Sequence, residues 1–99
     1  MEDKYVEKLK KLTLTVLEGE EVEIVLFGSR ARRDHHATSD VDIGLIPYGN
    51  GKLDKKKVVL LKQKAEDINI PYKIEIVDFS GVAPDFKKEA MKGAVVWRD

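Results

Sequence analysis

Apolar residues along this chain alternate between two periods. Tyr5, Leu9, Leu12 and Val16 recur at helical spacing within residues 3–17, and Gly19 follows as a stop signal. "VEIVLF", residues 22–27, is a continuous apolar and β-branched run that ends at Gly28, the signature of a buried strand. "VDIGLI", residues 41–46, predicts a second strand, closed by Pro47 and the turn residues Gly49, Asn50 and Gly51. Val58, Leu61, Ala65 and Ile68 form one stripe of a helix over residues 53–68. "YKIEIVDF", residues 72–79, alternates with period two and predicts a third strand. Pro84 opens a short helix that Gly93 closes, and "AVVW", residues 94–97, predicts a last short strand. The resulting class is α/β (α+β), a small mixed β-sheet of three to four strands flanked by helices.

Length and composition narrow the picture. A chain of 99 residues predicts a single domain over 1–99. Eighteen lysines and arginines balance 18 aspartates and glutamates, so the net charge is zero, which argues against direct nucleic-acid binding. The absence of cysteine removes disulfides and thiolate metal sites. The N-terminal "MEDKYVEKLKK" is charged and lacks the apolar stretch of a secretory signal, and no apolar run would span a membrane. A cytoplasmic location is the expectation.

The chemistry concentrates in "LFGSRARRDHHATSDVDIGL". Residues two apart on a strand share a face, so Asp40 and Asp42 point the same way. Two carboxylates this close repel, and burial sharpens the repulsion. A divalent cation resolves it, and magnesium takes oxygen ligands while keeping positions open for water and phosphates. The alternative is a surface turn in which Ser39 and Asp40 merely start the strand. Gly28-Ser29 weighs against that alternative. It ends one strand and precedes "RARR", which can begin a helix, and such a turn offers backbone N–H groups to an anion. Gly28 permits close approach to a phosphate, and the Ser29 hydroxyl can donate to one. Phosphate donors beside metal ligands are what phosphoryl-type transfer needs. On the third strand Lys73, Glu75, Val77 and Phe79 share one face, and Ile74, Ile76 and Asp78 the other. Only one of Glu75 and Asp78 can therefore join the aspartate pair. His35 and His36 are adjacent and are expected in solvent. Arg30, Arg32 and Arg33 carry guanidiniums suited to phosphate oxygens.

Gly28, Ser29, Ala31, Arg32, Ser39, Asp40 and Asp42 together resemble the Gly-Ser-x-Ala-Arg…Ser-Asp-x-Asp signature of the nucleotidyltransferase superfamily whose founding fold is the DNA polymerase β palm. The chain's length and its ending, "IEIVDFSGVAPDFKKEAMKGAVVW", resemble the minimal nucleotidyltransferase (MNT) family within it. Arg33 stands where that family usually has glycine, and Glu75 where it usually has aspartate. The resemblance selects Glu75 over Asp78 as the third acidic residue. It implies a catalytic, two-magnesium site on Asp40, Asp42 and Glu75, with Gly28, Ser29, Arg32 and Ser39 contacting the nucleotide.

The resemblance further implies ATP as donor and AMP transfer as the reaction. Larger members of the superfamily add domains for their acceptors, so a second surface is expected to complete the site. The usual companion of MNT proteins is a HEPN-domain toxin, which the MNT protein counters as antitoxin. Three readings stay open at this level. The chain transfers AMP to a hydroxyl of its partner, a tyrosine; or it masks that partner by binding alone; or it acts on a small molecule such as an antibiotic.

Overall fold

A computed structural model describes residues 4–28, 31, 40–48 and 53–99 of the chain. Four strands pair in one sheet: Val22–Phe27 (β1), Val41–Pro47 (β2), Ile74–Asp78 (β3) and Val95–Arg98 (β4), in the spatial order β3-β2-β1-β4. β1 runs antiparallel to both its neighbours, whereas β2 and β3 are parallel. A parallel pair needs a crossover, and the helix Lys55–Asp67 (α2) supplies it. The helix Lys4–Val16 (α1) precedes the sheet, and Pro84–Met91 (α3) connects β3 to β4.

The alternation of β2 divides the molecule in two. Val41, Ile43 and Leu45 turn to one face and join Ile24 and Leu26 of β1, Leu9 of α1 and Leu61 and Ala65 of α2 in the main core. Ala31 is buried in the same cluster. Thr13 of α1 is fully buried there, which is tolerable because its hydroxyl donates to the Leu9 carbonyl at 2.8 Å. The opposite face carries a smaller cluster of Val25, Phe27, Ile46, Phe79 and Ala90. Phe79 meets Phe27 edge-on, with ring centroids 5.2 Å apart. It also lies against Gly44, where an added Cβ would stand 3.0 Å from the ring. The second face is thus covered at its middle by Phe79, with α3 packed over it through Ala90 and Phe86.

Element ends follow from side-chain hydrogen bonds. Asp54 caps α2 by accepting from the Lys56 N–H at 2.9 Å. Glu20 holds the same helix start from across the molecule, accepting from the Asp54 N–H and from Lys57 Nζ. The third strand is shorter than the alternation over residues 72–79 predicts. The Asp78 carboxylate accepts from the Ser80 N–H at 2.9 Å and turns the chain into a 3-10 turn, Phe79–Gly81. At the other end Tyr72 leaves the sheet to meet Tyr5 of α1 edge-on. The last strand ends one residue later than predicted. The Arg98 guanidinium donates to the carbonyls of Leu17, Glu20 and Val22 and so fastens β4 beside the start of β1.

Candidate active site

Three strand ends meet at one end of the sheet: the C-terminus of β1 and the N-termini of β2 and β3. The register puts Asp42 opposite Phe27 on one side and opposite Glu75 on the other. Asp42 and Glu75 therefore share a face, the one that Phe79 covers only further along the sheet. Asp40 is exposed and stands immediately before β2. The Val41 N–H between the two aspartates donates to the Lys73 carbonyl at 2.9 Å, which locks the two acidic strand starts together.

Gly28 closes the site from the β1 side. Its φ of +79° lies in the left-handed region that an L side chain rarely adopts. A Cβ there would collide with Oδ2 of Asp42 and stand 3.3 Å from its Cγ. Glycine at this position lets the backbone after β1 lie directly on the Asp42 carboxylate. Two features that the sequence pattern predicted separately, the strand-ending glycine and the second aspartate, are one contact in space.

The electrostatics agree with that crowding. Burial pushes the Asp42 carboxyl above its ordinary value of 3.8, and the charges of Glu75 and then Asp40 push it further. Lys73 opposes them. Its ammonium lies 3.9 Å from Glu75, with both side chains largely in solvent, so the pair stabilises the fold little. Lys73 is the functional candidate that motif reading passes over. Its signal is its place on the face of Glu75, two residues earlier.

Among the described residues no group of three His, Asp or Glu side chains is placed to hold a metal ion. The donor chemistry of Asp40, Asp42 and Glu75 is nevertheless the kind that magnesium takes. All three are carboxylates, burial with the charges of Glu75 and Asp40 raises the proton affinity of Asp42, and Gly28 leaves the Asp42 oxygens unobstructed by a side chain. Asp78 does not belong to this set. It stands opposite Leu45, on the face of the main core, and its carboxylate is engaged by Ser80. Ser29, Arg32 and Ser39, expected to contact the nucleotide, lie outside the described residues, as do Arg30, Arg33, His35 and His36.

A four-stranded mixed sheet with α1 and α2 on one face, α3 on the other and an acidic, half-open end fits the architecture of polymerase β-type nucleotidyltransferases. The family profile "Polymerase beta, Nucleotidyltransferase" matches residues 7–99, and the chain belongs to that family. Two solved structures share its fold. One is a toxin-antitoxin with AMP-PNP, at 21% identity and a TM-score of 0.64, covering 89% of this chain and 71% of that one. The other is a mutant of the toxin-antitoxin MntA-HpeT, at 20% identity and a TM-score of 0.65, covering 92% and 70%. No curated protein matches the sequence significantly. Among the described residues no helix is long and apolar enough to cross a membrane.

Proposed function

We propose that this chain is a magnesium-dependent nucleotidyltransferase that moves AMP from ATP onto a hydroxyl of a partner toxin, and that it acts as an antitoxin. The observation that carries the reading is the direct pairing of Asp42 with Glu75, with Gly28 seated on the Asp42 carboxylate. Asp40, Asp42 and Glu75 would hold the metal, which when bound supplies charge neutralisation for the phosphates. The Gly28 backbone, with Ser29, Arg32 and Ser39, would hold the triphosphate. The Glu75 carboxylate is half exposed and can take the proton of an incoming hydroxyl. The acceptor oxygen forms a bond to the α-phosphorus, the bond from that phosphorus to the α–β bridging oxygen breaks, and pyrophosphate leaves.

The toxin partner is supported by the two toxin-antitoxin structures that share the fold. A HEPN-domain protein with a tyrosine acceptor is what the MNT resemblance adds. The experiment is to incubate the chain with ATP, Mg²⁺ and the protein encoded beside it, then weigh that protein intact. A gain of one or more AMP units, absent with Asp42→Asn, is the expected result. A tight complex without mass gain would replace transfer by masking. Neither complex nor mass gain would leave a small-molecule acceptor.

A further inference from the structure

We propose that an extended segment of the acceptor protein adds as a fifth strand along the outer edge of β3, in the groove under α2, and thereby brings its hydroxyl residue beside Glu75. The inference rests on the transfer reading above and deepens it by naming how the acceptor is held.

The sheet order leaves β3 with β2 as its neighbour on one side and no strand on the other, among the described residues. In a parallel ladder the backbone groups of successive residues point alternately to the two sides. The Lys73 carbonyl bonds to Val41 of β2, so the backbone groups of Glu75 and Val77 also face β2. Those of Ile74 and Ile76 therefore face outward. They present donors and acceptors in the repeat that an added strand pairs with.

A groove of about 630 Å³ runs along this edge, with α2 as its wall. Its floor is apolar, since Ile70, Ile74 and Ile76 line it half-buried. Its rim mixes signs, with Lys62 and Glu66 on α2 and Lys73 and Glu75 on the strand. A polyanion would meet two carboxylates there, whereas a polypeptide offers amides to the edge, apolar side chains to the floor and either charge to the rim. A strand pairing with the five residues of β3 spans about 17 Å, so one short segment suffices. Glu75 belongs both to the groove and to the acidic end of the sheet. A segment lying in the groove therefore arrives at the proposed proton acceptor without any further element.

Residue-resolved amide hydrogen exchange tests the placement, with the protein encoded beside this chain as probe and its intact mass followed in parallel. In the chain alone the outward amides of Ile74 and Ile76 should exchange at least tenfold faster than the inward amides of Glu75 and Val77. In the complex Ile74 and Ile76 should slow by tenfold or more. AMP transfer with those two amides unchanged would overturn the groove and leave the transfer reading standing. Slowing that grows with the concentration of this chain alone would overturn it in favour of a second copy as occupant. Slowing with no mass gain under Mg-ATP would keep the groove as a docking surface and overturn the transfer reading. Neither complex nor mass gain would overturn both.

Discussion

Gly28→Ala tests the contact on which the site is built. Two costs add. An L residue held at φ +79° costs about 1–2 kcal/mol. The new methyl also overlaps Oδ2 of Asp42, and moving a half-buried carboxylate aside costs roughly 1–3 kcal/mol more, as overpacking does. The two costs separate in a double-mutant cycle. In an Asp42→Ala background the overlapping oxygen and Cγ are gone, and the nearest remaining atom, Cβ, is at an ordinary 3.6 Å. Gly28→Ala should then cost the backbone part alone. Urea unfolding of the four proteins should show a coupling of at least ~1 kcal/mol, well beyond the ~0.3–0.5 kcal/mol within which independent sites add. Each kcal/mol moves the melting midpoint of a domain this size by about 4–8 °C, so thermal scans give a second readout. Calorimetry should also show Mg-dependent ATP binding weakened at least tenfold in Gly28→Ala. Strict additivity of the two substitutions would refute the seating of Gly28 on Asp42.

Three further outcomes follow from the same geometry. Because the folded Asp42 carboxyl titrates above 3.8, the folded chain holds that proton more tightly than the unfolded one. Metal-free stability should then fall as pH rises from the unfolded value through the raised folded value, and stay low above it. Asp42→Asn, or excess Mg²⁺, should flatten that slope in urea titrations, and an unchanged slope would count against the acidic cluster. Glu75→Gln should lower AMP transfer by ~10²–10⁴-fold at nearly unchanged stability. Asp78→Asn should instead cost about 1 kcal/mol or less through its weakened cap and spare transfer; the opposite ranking would place the third carboxylate wrongly. Arg98→Ala strips three carbonyls of a charged donor and should cost about 2–4 kcal/mol in urea unfolding, with ATP binding retained.

Hydrophobic patterning carried most of the secondary structure, because α1 and α2 each bury one stripe and the central strands β1 and β2, buried on both faces, read as nearly continuous apolar runs. Leu61 and Ala65 of α2, and Ile24 and Leu26 of β1, are core residues as their spacing requires. Ends were less legible. The Asp78 side chain, reaching its cap two residues on, cut β3 short, and Tyr72 left the strand pattern for a ring on α1. The acidic pair and the strand-ending glycine were visible as a motif, since they lie on either side of one connection. Alternation alone could say that Glu75 and Asp78 occupy opposite faces. The family resemblance selected Glu75, and the physical reason lies in the parallel register with β2, which puts Glu75 opposite Asp42 and which a slip of one residue would have reversed. The seating of Gly28 on Asp42, the pairing of Asp42 with Glu75 and the open outer edge of β3 likewise depend on strand order and pairing, which join residues far apart in the chain and leave no trace in its local pattern.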